Sequence, residues 1–99
     1  MTGPVSPDMA EERLTRSVTI CNQRGLHARA AAKFVRMADT FTCRIEVTRD
    51  DQTVAGTSIL GLMLLGAGAG TVLTLRAEGD DAAAALAALG DLIQRGFDE

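Results

Sequence analysis

The segment Gly25-Leu26-His27-Ala28-Arg29 sets the one histidine of the 99 residues directly before an Ala-rich stretch, with an arginine two positions on. The residues that follow, Ala30-Ala31-Ala32-Lys33-Phe34-Val35-Arg36-Met37-Ala38, are good helix formers. A helix starting here leaves its first N–H groups, those of Ala28, Arg29 and Ala30, without intrahelical partners and turns its positive dipole end toward His27. Such an end favours an anion, and a neutral imidazole is a nucleophile at about pH 7. The chemistry these residue types allow is the holding of a phosphoryl group on an imidazole.

Several elements must place that histidine. Leu14, Val18 and Ile20 alternate with Thr15, Ser17 and Thr19, the pattern of a half-buried strand, and Asn22-Gln23-Arg24-Gly25 supplies the turn that brings the chain to His27. Ala31, Phe34, Val35 and Ala38 then fall at helical spacing through about Asp39, with the Lys33 and Arg36 pair read as a solvated face. Cys43, Ile45 and Val47 alternate with Thr42, Arg44, Glu46 and Thr48, and Thr53-Val54-Ala55 returns after the polar turn Arg49-Asp50-Asp51-Gln52, which reads as an antiparallel hairpin. Ser58 stands at the N-cap of a two-turn helix, Ile59 to Leu65. After a turn from Gly66 to Gly70, Val72 to Ala77 reads as a fourth strand. A last helix opens at Gly79-Asp80-Asp81 and runs to about Arg95, with Leu86, Leu89 and Ile93 as its stripe and Ala82, Ala83 and Leu92 alongside. Asp80 and Asp81 are read as acids that suit the start of that helix. The order β-α-β-β-α-β-α predicts an α+β open-faced sandwich, a four-stranded antiparallel sheet with three helices on one face.

Composition narrows the function. The chain makes one domain, expected over residues 13–99 behind a disordered tail at 1–12, whose Pro4, Pro7 and acids lack the apolar core of a signal peptide; a cytoplasmic protein is expected. Ten Lys/Arg against thirteen Asp/Glu and three aromatic residues argue against nucleic-acid binding, which needs clustered cations and stacking rings. The apolar run Ile59–Leu75 is broken by Gly61, Gly66, Gly68 and Gly70 and is too short for the roughly 20 residues of a membrane span. Cys21 and Cys43 form no Cys-x-x-Cys pair and have a single histidine to join them, so neither a metal nor a redox site is expected, and the two thiols are read as free and mostly buried. No cofactor is expected.

Two segments in this order, Gly25-Leu26-His27-Ala28-Arg29 and Gly56-Thr57-Ser58-Ile59-Leu60-Gly61-Leu62-Met63, resemble the HPr family, histidine phosphocarriers of the bacterial phosphoenolpyruvate-dependent phosphotransferase system. The likeness covers roughly residues 13 to 97. It implies a carrier without turnover of its own, expected to act as a monomer. His27 would accept a phosphoryl group on Nδ1 from phosphorylated Enzyme I and surrender it to an enzyme II-type protein, of the IIA class. Arg29 would make a charge-assisted contact to the phosphoryl oxygens. Ser58 resembles the family's regulatory serine, the target of an HPr kinase/phosphorylase in some bacteria, and a phosphate there would act on partners rather than on the fold. Ile59, Leu60, Met63 and Leu64 are more apolar than a short surface helix needs; with Arg24, Arg29 and Phe34 nearby they are read as a docking patch with a basic rim. The common family pattern has proline where this chain has Ala30, and the alanine form occurs in the nitrogen-related, regulatory branch, NPr-like, so a regulatory role is expected ahead of sugar transport.

Other classes compete. A regulatory or protein-binding domain of the same fold that carries no phosphate is the chief alternative. A small-molecule-binding domain would need a closed pocket, for which the sequence offers no polar cluster. A hydrolase would need a nucleophile or paired base beside His27, and none lies near it in sequence.

Overall fold

The computed structural model describes residues 13–99, so the tail expected at 1–12 lies outside the described residues. The chain forms β1 (Arg13–Thr19), α1 (Ala28–Ala38), β2 (Arg44–Arg49), β3 (Gln52–Ala55), α2 (Ile59–Leu64), β4 (Val72–Glu78) and α3 (Ala82–Gln94), and closes with a single 3-10 turn at Gly96–Asp98. The four strands make one antiparallel sheet in the order β1-β4-β2-β3. This is the expected α+β arrangement, and its boundaries shift by a residue or two. The β2–β3 turn is tighter than expected: Arg49 pairs with Gln52, leaving Asp50 and Asp51 as a two-residue connection with Asp50 in the left-handed region at φ 54°.

Alternation decides which face of the sheet is covered. Val18 and Ile20, Ile45 and Val47, and Leu73, Leu75 and Ala77 are buried, whereas their neighbours Thr15, Ser17, Thr19, Arg44 and Val72 are exposed. The helices supply Ala30, Ala31, Phe34, Leu62, Leu86, Leu89 and Ile93 to the same core. Phe34 and Phe97 are its largest fully buried side chains. Removing the ring of either, as in Phe34→Ala, would cost about 3–5 kcal/mol. No helix among the described residues is long and apolar enough to cross a membrane.

Two expectations are corrected. Cys21 is exposed and Cys43 only partly buried, so the thiols are not core residues. β1 ends at Thr19 and Ile20 is the last inward side chain, which puts Cys21 on the outer phase; its Sγ donates to the carbonyls of Ile93 and Gln94 at 3.4 and 3.3 Å. Ala83 faces solvent, and Ala85 takes the buried place beside Ala82 and Leu92. Asp81 makes no side-chain cap bond to α3. Its carboxylate instead accepts the N–H groups of Thr42 and Cys43 at 2.8 and 2.9 Å, fastening the α1–β2 connection to the start of α3. The Thr42 N–H chiefly holds this carboxyl below its ordinary range, while burial and then Asp81 push the Cys43 thiol up to about 11.

Candidate functional site

His27 is the N-cap of α1, in extended conformation at φ −76° and ψ 179°, and its side chain makes no cap bond. The first helical hydrogen bond runs from Ala31 N–H to His27 O at 2.8 Å. The N–H groups of Ala28, Arg29 and Ala30 therefore precede the ladder, at the positive end of an 11-residue helix. Ala30 and Ala31 anchor this turn in the core while Ala28 and Arg29 remain exposed. Arg29 makes no ion pair among the described residues, so its guanidinium is available at the opening of the site.

The imidazole is gripped from the far end of the sequence. His27 Nε2 pairs with Glu99 Oε2. A carboxylate only accepts, so in the neutral ring Nε2 carries the proton and Nδ1 presents its lone pair. Asn22 holds Glu99 in turn: its Nδ2 donates to Glu99 Oε1 at 3.1 Å and to Gly25 O at 2.8 Å, which ties the carboxylate to the turn before His27. These bonds, that from His27 first and that from Asn22 second, hold the Glu99 carboxyl below its ordinary value. The segment reaches His27 through three consecutive left-handed residues, Gly96, Phe97 and Asp98, at φ 68°, 58° and 61°. Left-handed backbone is unfavourable for the last two, and the buried Phe97 ring, the Lys33 Nζ bond to Phe97 O at 2.7 Å and the Arg95–Asp98 pair at 2.9 Å offset it. Asn22, Lys33, Phe97 and Glu99 carry no local sequence signal for this role; Glu99 lies 72 positions from His27.

The loop on the other side is braced by the chain after α2. Leu26 N–H donates to Ala67 O at 2.9 Å, and Gly25, at φ 65°, passes so close that a Cβ there would come within 2.3 Å of that oxygen. Only glycine satisfies both conditions.

Ser58 is the N-cap of α2, and its Oγ accepts from Gly61 N–H at 2.9 Å. Gly61 leaves room for the hydroxyl, since a Cβ there would stand 3.0 Å from it. Leu62 is the member of α2 that enters the core; Leu60 and Leu64 are 67% and 71% exposed, and Ile59 and Met63 about two-fifths. Arg24 is exposed beside the His27 turn. Phe34 does not belong with them: at 1% exposure it packs beneath α1, as the helical spacing with Ala31 and Ala38 requires, and it is removed from the candidate docking patch.

Residues 14–95 match the family model described as "PTS HPr component phosphorylation site". The chain is 48% identical over 86 residues to phosphocarrier protein HPr of Neisseria meningitidis, covering 87% of this chain and 97% of that one. It is 44% identical over 87 residues to phosphocarrier protein NPr of Shewanella violacea, covering 88% and 96%. Among solved structures, the crystal structure of HPr-C-His from Thermoanaerobacter tengcongensis superposes with a TM-score of 0.83 at 45% identity, covering 87% of this chain and 97% of that one. Likeness of this extent, over both the His27 and the Ser58 segments and the whole sheet, places the chain in the HPr family of phosphocarrier proteins.

Proposed function

We propose that this protein takes a phosphoryl group on His27 Nδ1 from phosphorylated Enzyme I and passes it to an enzyme II-type acceptor of the IIA class, acting as a cytoplasmic monomer. The observation that carries the reading is the pairing of His27 Nε2 with Glu99, which leaves Nδ1 as the nucleophilic nitrogen beside the three N–H groups that precede the helical ladder. In the transfer, the Nδ1 lone pair forms a bond to phosphorus as the bond from phosphorus to the donor's side chain breaks, the electron pair leaving with the donor. Glu99 keeps hold of the Nε2 proton and balances the positive charge that grows on the ring. The N–H groups of Ala28, Arg29 and Ala30 and the Arg29 guanidinium meet the phosphoryl oxygens. Because these contacts are backbone and surface groups, they steady the cargo without trapping it. On release the same steps run backward toward the acceptor. The protein supplies the relay and its partners the turnover.

Leu60, Met63 and Leu64, with Ile59 at the edge and Arg24 and Arg29 on the rim, form the docking surface for both partners. Ser58 is proposed as a target of HPr kinase/phosphorylase. A phosphate there would bring about −2 charge to the edge of the patch and repel an acidic partner while α2 tolerates it at its N-terminus. Ala30, in place of the family's usual proline, supports service in a regulatory, nitrogen-related chain ahead of sugar transport.

The test is incubation with phosphoenolpyruvate and Enzyme I, followed by intact mass and the acid-lability of the added group, with His27→Ala alongside. An acid-labile, base-stable phosphoryl on the wild type, absent from His27→Ala, is the expected result. No label on the wild type, with a known carrier labelled in the same tube, overturns the proposal and leaves a protein-binding domain of the same fold.

A further inference from the structure

Arg49 takes no part in the site described above. It closes β2, its side chain is about one-third exposed, and its Nη1 donates to the carbonyls of Leu65 and Gly66, both at 2.8 Å. These are carbonyls at the C-terminal end of α2, the negative end of a six-residue helix that has no basic residue in its own last turn. The chain leaves that end through Gly66 in the left-handed region at φ 64°, with Gly66 N–H bonded to Met63 O at 3.1 Å. So short a helix has little stability of its own, and a cation delivered from a neighbouring strand closes it.

We infer that Arg49 is a positioning residue for partner docking: it clamps the segment 65–67, which carries the docking helix on one side and braces the His27 loop on the other. The next residue after the clamped pair is Ala67, whose carbonyl accepts Leu26 N–H at 2.9 Å, one position before His27. One guanidinium thereby fixes the distance between the exposed Leu60–Leu64 face and the phosphoryl-accepting ring. A partner that must touch both finds them already in register. Without the clamp the helix end would have to be ordered at each encounter, which weakens docking and leaves the chemical step as it was. This inference rests on the phosphocarrier reading for its kinetic consequence and on geometry for its structural one.

Arg49→Ala and Arg49→Lys, compared with wild type by residue-resolved amide exchange and by steady-state phosphorylation with Enzyme I, separate the two. In Arg49→Ala the amides of Leu26, Leu65 and Gly66 are expected to exchange about tenfold faster, the worth of a charged hydrogen bond, while those of Leu73, Leu75 and Leu89 stay within about twofold. The KM for the carrier should rise about five- to tenfold with kcat within about twofold, and Lys, whose ammonium still donates to the carbonyls, should recover most of both. Unchanged exchange at the three clamped amides overturns the inference. So does acceleration spread equally over the core amides, or a fall in kcat at constant KM. If the wild type takes no phosphoryl group, the phosphocarrier reading fails on its own and amide exchange still decides the clamp.

Discussion

Two helix N-termini in this molecule are finished in opposite ways. At α2 the cap residue, Ser58, turns its oxygen back onto Gly61 N–H at 2.9 Å and completes the end. At α1 the cap residue, His27, turns its ring away to Glu99 and leaves the N–H groups of the first turn open. An open end on a long helix is an anion site, and a closed end on a short one is a structural stop that only a covalent phosphate would charge. The contrast separates the proposed phosphoryl acceptor from the proposed regulatory serine by what each does for its own helix.

Exchanging alanine at the two caps should break that contrast cleanly. His27→Ala removes all Enzyme I-dependent label while lowering the unfolding free energy by less than about 1 kcal/mol, because only the partly exposed Glu99 pair is lost and no cap bond. Ser58→Ala retains the label and costs about 1 kcal/mol, because one is. Urea unfolding of both variants beside the labelling assay checks the crossing; equal destabilisation would erase it. A smaller effect is expected at Ala30. Ala30→Pro keeps the fold, since proline is accepted in a first helical turn, but deletes one of the three open donors and should slow transfer about threefold, the net worth of one hydrogen bond. Unchanged rates would mean that this donor does not reach the phosphoryl group. The smallest effect is in acid. The Glu99 carboxyl is held below its ordinary 4.5 in the folded chain, so its contribution to stability is complete above that value and is lost as pH falls through the lowered one. Glu99→Gln should therefore melt earlier than wild type at about pH 6, and the two should converge as pH falls through the lowered carboxyl value. Parallel curves across that range would show that the carboxylate does not bind His27 as a charge.

Most of the frame was legible because it rests on local pattern. The alternations of β1, β2 and β4, the helical spacing of Ala31, Phe34 and Ala38, and the serine before an apolar run each declare an element within a few residues. His27 was legible for the same reason, since both the ring and the donors beside it belong to one turn. Phe34 was readable too, and its place in the helical stripe was the better guide than its nearness to the docking patch. Cys21 lay on the outer phase of a strand pattern that already pointed outward. What stayed hidden came from elsewhere in the chain: Glu99 on His27, Lys33 on Phe97 O, Asp81 on Thr42 and Cys43, Arg49 on Leu65 and Gly66. Each is a polar side chain meeting a group 16 or more positions away, and no spacing rule announces such a meeting.

The anion site proposed at the head of α1 is built from main-chain amides, and this has a hereditary consequence. Codon changes can remove a guanidinium or a hydroxyl, but at 28, 29 and 30 only a change to proline removes an N–H. Drift at these positions therefore alters the rim of the site and spares its floor. Lineages can retune which partners approach the histidine without first losing the place where the cargo rests.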